Sequence, residues 1–294
     1  MEDEVKKMFG SALLLLMIGV MCSMAVPAKA ENIEKATWLW NPWSLVHGSQ
    51  ETLEFLTDKQ VTKVYVQIDR ELSADVYRSF ITDAAELGID VYALDGAPDW
   101  AAPKGYLQLR QLLDWVEQYQ KTSSGEAAFK GVHLDVEPYL YSGWNTKRET
   151  VIKAYQSLIT EASVKTKQLN IHIEADLPFW FDEIKYKNAY GTGLLSDWVQ
   201  KQTDGITIMA YRDTSDFITS FSLHELAVGE KLSKSVTIGV ETGETDEGDY
   251  LSFYQEGEAV MDRELDQVYE QVKSYSSFSG FAIHHFDSWK IMHP

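Results

Sequence analysis

Eight short runs rich in Val, Ile and aromatic residues recur through residues 31–294, and longer stretches with helical spacing separate them. The runs lie at 36–40, 63–68, 90–95, 131–137, 170–177, 205–211, 235–241 and 280–287. Between them, residues 73–88 place Val76, Phe80, Ile81, Ala84 and Leu87 three to four positions apart, and Gly88 ends the pattern. Residues 106–120 repeat it with Leu109, Leu112, Leu113 and Val116, and 147–168 and 258–275 are the longest such stretches. Eight strands alternating with seven helices predict an α/β fold of the closed (β/α)8 TIM-type barrel. Only seven residues follow Asp287, so the eighth helix is expected to be missing or replaced. A doubly wound open sheet is the alternative. It calls for a Gly-rich phosphate loop after the first strand, where Trp40-Asn41-Pro42-Trp43 stand instead. No repeat, low-complexity stretch or Pro/Gly linker divides residues 31–294, which read as one domain.

Residues 1–30 read as something other than fold. Lys6 and Lys7 precede an uncharged run from Met8 to Val26, and Ala28-Lys29-Ala30 is a small-x-small cleavage pattern. This predicts a signal peptide cut after Ala30 and a secreted or cell-surface protein. An uncleaved anchor is the alternative, since about 18 apolar residues just span a bilayer. After cleavage, no membrane insertion is expected. Cys22, the only cysteine, lies in this leader, where Gly19-Val20-Met21 match a lipobox poorly. The mature chain therefore has no disulfide or thiolate ligand, and its stability must come from a large core. The formal net charge is −19. Glu2, Asp3 and Glu4 balance Lys6, Lys7 and Lys29, so the mature chain keeps that charge, which repels phosphate backbones and argues against nucleic acid as a partner. The chain is expected to act as a monomer.

A barrel of this kind keeps its chemistry at the C-terminal ends of its strands. Those ends read Trp40, Asp69, Asp95, Asp135 with Glu137, Glu174 with Asp176, Tyr211, Glu241 and Asp287. Asp69 and Asp99 also suit the N-caps of following helices. The fourth predicted strand, Gly131 to Glu137, says most. Alternation sends Val132, Leu134 and Val136 to one face and His133, Asp135 and Glu137 to the other. The apolar face must meet the helices, so the polar three enter the barrel. Crowded carboxyls cannot all ionise, which would leave Glu137 a general acid while Asp135 stays charged. A satisfied buried pair of His133 and Asp135 is the plainer reading. The fifth strand repeats the pattern with His172, Glu174 and Asp176; the sixth sends Met209 and Tyr211 inward, and the seventh Glu241.

With nine Trp, 15 Tyr and 12 Phe, the chain is rich enough in aromatics for a sugar-facing cleft, though each alone more often packs a core. Trp38, Trp40, Trp43, Trp100, Trp144, Trp180 and Trp289 fall near predicted strand ends. The acidic stretch from Glu241 to Asp249 reads as a solvated loop without the ligand order of an EF-hand.

The strand-four run resembles the DxxDxDxE motif of the family 18 chitinases among the barrel glycoside hydrolases. On that motif, Glu137 takes the place of the proton donor and Asp135 that of the Asp steadying the substrate acetamido group. The two earlier Asp positions fall on Lys130 and His133. Met209-Ala210-Tyr211 is similar to that family's MxY segment, whose Tyr holds the same acetamido group; Asp213 follows one position late because Arg212 intervenes. Gly280 to Trp289 resembles the family's last strand, with His284 where a floor Trp is expected and Trp289 as a candidate substitute. A second resemblance is to the clan of retaining glycosidases with an acid/base Glu ending strand four and a nucleophile Glu ending strand seven. Glu137 and Glu241 hold those ends, while Val136 replaces the clan's Asn.

Three function classes follow. The first is a secreted glycoside hydrolase on a polysaccharide, one containing N-acetylhexosamine under the first resemblance, with Glu137 as general acid/base and no cofactor. Its catalytic set is Glu137, Asp135, Glu241 and Tyr211; Trp40, Asp69, Asp95, Glu174, Asp176, Asp287 and Trp289 would line the cleft. The nucleophile is either the acetamido oxygen, oriented by Asp135 and Tyr211, or Glu241. The second is a metal-dependent hydrolase or deacetylase drawing ligands from His133, Asp135, Glu137, His172, Glu174, Asp176 and His285, although the chain has no HxH on its first strand and no HExxH. The third is a non-catalytic carbohydrate-binding barrel.

Overall fold

Strand and helix positions follow the hydrophobic periodicity closely in the computed structural model, which describes residues 33–123 and 125–294. The expected leader, residues 1–30, lies outside the described residues. Among the described residues there are ten strands: β1 (Glu34–Leu39), β2 (Lys63–Gln67), β3 (Asp90–Asp95), β4 (Gly131–Leu134), β5 (His172–Pro178), β6 (Lys185–Asn188), β7 (Gly191–Leu194), β8 (Gly205–Met209), β9 (Ser235–Glu241) and β10 (Phe278–His284). Eight of them close a parallel barrel in the order β1-β10-β9-β8-β5-β4-β3-β2. Pairing of Glu34 with Gly280 through Thr37 with Ile283 seals it, so the open-sheet alternative is excluded. At that seam Gly280 has φ +151°, and a Cβ there would sit 1.9 Å from the Glu34 carbonyl oxygen. Only glycine fits both demands.

The intervening helices are α1 (Ser44–His47), α2 (Ser49–Asp58), α3 (Ala74–Glu86), α4 (Tyr106–Thr122), α5 (Trp144–Leu169), α6 (Leu195–Gln202), α7 (Ser215–Leu232), α8 (Glu258–Val272) and α9 (Phe286–Lys290). The eighth helix is indeed replaced. The short α9 buries Phe286 and Trp289, which meet the Phe55 ring of α2 at 5.2 and 5.4 Å. The β6–β7 hairpin is not legible as strand in the sequence, because Lys185-Tyr186-Lys187-Asn188 is polar and largely exposed.

Alternation along the strands makes two separate apolar regions. Outward residues such as Val64, Val132, Ile173, Ile206 and Ile238 join the helices in one large core. Inward, Trp38, Tyr65, Tyr92 and Leu94 pack with Ala36 and Ala282, and the register sets Tyr65 between Trp38 and Tyr92, so side chains fill the interior of the barrel. Below this aromatic layer the barrel floor carries charge. Lys63 Nζ lies 2.8 Å from Glu34 and 2.7 Å from Glu174, with side chains of Lys63 and Glu174 only 8% and 7% exposed. Lys63→Met leaves two carboxylates without their shared cation and is expected to cost roughly 3–5 kcal/mol, read as a lower urea midpoint. A variant as stable as the parent would contradict this account of the floor.

Candidate active site

Three carboxyls, a tyrosine and a histidine converge above the aromatic layer because their strands end there. β4 stops at Leu134, so Asp135 and Glu137 stand just beyond the ladder rather than inside a strand reaching 137. The Asp135 N–H still bonds the Asp95 carbonyl at 3.2 Å. Gly96 permits that approach: a Cβ there would fall 1.9 Å from the Asp135 carbonyl oxygen. Glu137 accepts a hydrogen bond from the Tyr139 hydroxyl, and the Tyr139 ring is braced edge-on against Trp180 at 5.0 Å. Burial pushes the Glu137 carboxyl above its usual range; the Tyr139 hydroxyl opposes that shift and the Asp176 charge adds to it. Asp135 is pushed up further, by burial first and then by the charges of Asp176 and Glu137. This reverses the expected division of roles, in which Asp135 was the charged member.

Glu241, at the end of β9, is spoken for on both oxygens. Oε1 accepts the N–H groups of Thr242 at 2.9 Å and Gly243 at 2.6 Å. Oε2 accepts from His284 Nδ1 at 2.7 Å. The Trp40 indole donates to His284 Nε2 at 3.3 Å, which assigns the imidazole proton to Nδ1. Trp40, His284 and Glu241 thus form a hydrogen-bonded row across the barrel mouth. Tyr211, past the end of β8, tilts against His284 with ring centroids 5.8 Å apart. Burial raises its hydroxyl pKa, with the Glu241 charge next in effect. The intervening Arg212 acts as a clamp. It donates to the Tyr211 carbonyl at 2.6 Å, and its guanidinium lies over Phe179, Phe221 and Tyr250 at 5.5, 4.8 and 5.2 Å.

The remaining predicted residues divide by depth. Asp176 is buried one layer below the mouth, accepting from the Trp38 indole at 3.0 Å and meeting His133 Nε2 at 2.9 Å. Glu174 lies deeper still, on Lys63. Both support the site from beneath and are sealed from a ligand. Asp95 is at the mouth, its carboxyl pushed up to about 6 by burial against the opposing Gly96 N–H and Arg70. Asp69 accepts the Trp43 indole at 3.0 Å on the rim. Asp287 opens α9 and faces His285 at 4.0 Å. Trp289 does not join them: it is 2% exposed, in the outer core, with its indole donating to Glu258 at 3.0 Å. Trp38, Trp100 and Trp144 are buried too, which leaves Trp40, Trp43 and Trp180 as the tryptophans at the mouth. Tyr139 carried no sequence signal, since it follows a proline beyond the strand. Lys63 did: alternation puts it on the inward face with Tyr65.

Of the residues of the metal reading, His133 meets Glu174 and Asp176, while Glu137 accepts from Tyr139, His172 meets Tyr92 and His285 faces Asp287. Among the described residues, no group of three or more His, Cys, Asp or Glu side chains is arranged to hold a metal ion. Burial opposes a charged His133, but Asp176 and Glu174 outweigh it and hold the imidazolium up to about 9.

The closed barrel with its chemistry at the mouth defines a (β/α)8 protein of the chitinase-like fold. A Bacteroides thetaiotaomicron chitinase superposes with TM-score 0.55 at 11% identity, over 88% of this chain and 93% of that one. An endo-β-N-acetylglucosaminidase from Cordyceps militaris does so with TM-score 0.57 at 12% identity, over 89% and 84%. The Bacillus megaterium spore cortex-lytic enzyme SleL gives 0.53 at 11%, over 85% and 70%. At these identities the likeness is one of fold. No protein-family model matches the sequence, and no curated protein matches it.

The imidazolium at His133 has a signed consequence. A folded-state pKa raised from 6.5 to about 9 contributes stability that is complete below pH 6.5 and lost as pH rises through 9. The stability difference between the parent and His133→Gln, followed by urea unfolding, is expected to be constant below that window and to shrink across it. A difference independent of pH would show His133 to be neutral.

Proposed function

We propose that this chain is a secreted glycoside hydrolase that cleaves a polysaccharide containing N-acetylhexosamine, with Glu137 as general acid/base. One observation carries the reading: Glu137 stands at the mouth of a chitinase-like barrel, its pKa raised by burial, with Asp135 and Tyr211 close enough to share its field. A carboxyl with a raised pKa is what protonation of a leaving oxygen near neutral pH needs.

The reaction then runs in two halves. Glu137 gives its proton to the glycosidic oxygen as the acetamido carbonyl oxygen of the substrate attacks C1 and the C1–O bond to the leaving group breaks. Asp135 and Tyr211 hold the acetamido group in line. Glu137, now a carboxylate, takes a proton from water as that water opens the cyclic intermediate at C1, which restores the acid and retains the configuration. Glu241 is the weaker nucleophile candidate. Its oxygens already accept three hydrogen bonds, which lowers the energy of the carboxylate and occupies the lone pairs that would attack. Trp40, Trp43 and Trp180 offer faces for sugar rings, and Asp95 a polar contact. The apolar leader over residues 1–30 supports export, and the acidic surface suits a partner other than nucleic acid.

Reducing-end release from a panel of N-acetylhexosamine and neutral glycans tests this. Glu137→Gln is expected to lose at least about 100-fold in kcat, while Glu241→Gln loses far less. Retained activity in Glu137→Gln would overturn the assignment, and a severe loss in Glu241→Gln alone would restore Glu241 as nucleophile. Binding without cleavage by the parent would move the chain to the carbohydrate-binding class. Tyr139→Phe removes the bond that holds the Glu137 carboxyl down, so the alkaline limb of kcat against pH is expected to move upward.

A further inference from the structure

Beneath the barrel mouth the buried charges alternate in sign along the axis. Lys63 meets Glu174 at 2.7 Å. Glu174 faces His133 Nδ1 at 3.5 Å, and His133 Nε2 faces Asp176 at 2.9 Å. The His133 ring is fixed by stacking on Tyr65, with centroids 3.7 Å apart. Asp176 is fixed by the Trp38 indole. The column then reaches Asp135. The β4–β5 register pairs His133 with Glu174 and Leu134 with Ala175, so one step further sets Asp135 opposite Asp176. Here the sign alternation breaks, because two carboxyls adjoin. Asp135 Oδ1 and Asp176 Oδ1 are both buried without a hydrogen-bond partner. Neighbouring carboxyls in a dry site cannot both stay ionised, and each of these keeps one oxygen that no donor satisfies.

We infer that Asp176 and His133 are positioning residues for the reaction proposed above: Asp176 remains the anion, tied to Trp38 and His133, and Asp135 keeps a proton. Asp135 then presents a neutral donor beside Glu137. When Glu137 surrenders its proton to the leaving group, the new carboxylate faces one buried anion rather than two. The Asp135 proton is held throughout and not consumed. His133 makes this arrangement possible in this chain, because a cation at that point lets Asp176 stay charged so deep in the barrel. The titratable groups that act on Asp135 or feel its charge are His133 and Glu137 on its own segment, Tyr139 beyond them, Asp176 from β5, Tyr211 from the end of β8 and Tyr155 from α5.

The inference rests on the functional reading, so its test is readable without turnover. The Asp135 carboxyl is titrated by 13C NMR of Asp-labelled protein and assigned by its loss in Asp135→Asn. In the parent its midpoint is expected well above the ordinary Asp value; a midpoint near about 3.9 overturns the inference without any variant. Asp176→Asn removes the neighbouring anion and is expected to lower the midpoint by about 1 pH unit or more. His133→Gln removes the cation and is expected to raise it. Should Asp176→Asn fail to fold, the direction of the His133→Gln shift decides. Where a glycan is cleaved, the alkaline limb of kcat moves with the midpoint in each variant, down and up respectively, with little change in KM. A merely structural role lowers kcat at every pH and leaves the midpoint in place, which overturns the inference. Opposite shifts in a protein that cleaves no glycan sink the functional reading and leave the assignment of the proton to Asp135 standing.

Discussion

Lys63 and Glu174 meet at 2.7 Å in the floor of the barrel, where both side chains are almost wholly buried. Burying two charges costs several kcal/mol each unless their partners are well placed, and here the partners come from β1, β2, β4 and β5 at once. Glu34 completes the floor, and His133 passes the pairing upward. Burial alone would push the Glu174 carboxyl up, yet Lys63 and His133 pull it down to about 2. Asp176 can sit under the mouth because His133 is charged, and His133 is charged because Glu174 and Asp176 flank it. The site is built on top of this column. Remove its lowest cation and the support under Asp135 loses its alternation of sign.

The same column bears on the point where the strand-four run differs from the family 18 motif that it resembles. His133 stands where that motif has Asp, which reverses a charge in the barrel interior. Placed alone, an imidazolium there would pull Asp135 into its ionised form. Asp176, set opposite Asp135 by the β4–β5 register, counters that effect. Glu241 shows the converse. Position alone made it a nucleophile candidate, but its environment of two backbone N–H groups and a histidine donor makes it a fixed acceptor that orients His284 and, through it, Trp40.

Much of this was legible in the sequence, for a physical reason. Parallel strands in a closed barrel are buried on both faces, so period-2 alternation sorts inward from outward residues, and it placed His133, Asp135, Glu174, Asp176 and Tyr211 correctly. The same alternation marks Lys63 as inward-facing. Depth was not legible. Alternation gives a face and not a layer, so Glu174 and Asp176 read as cleft residues when they are the supports beneath it. Trp289 read as a sugar platform because nothing in sequence shows that α9 turns back onto Phe55. The β6–β7 hairpin carries no apolar alternation. Hydrogen-bond partners set by register, such as Trp38 with Asp176, need the barrel to be closed first.

The central claim is that a neutral Asp135 beside Glu137 serves hydrolysis assisted by the substrate's own acetamido group. The most direct measurement is 1H NMR of the anomeric protons during cleavage of an N-acetylhexosamine oligosaccharide, with its de-N-acetylated counterpart alongside. The account predicts first-formed product of retained configuration from the acetylated substrate and no cleavage of the other. Inverted product, or comparable cleavage of a substrate without the acetamido group, would contradict it.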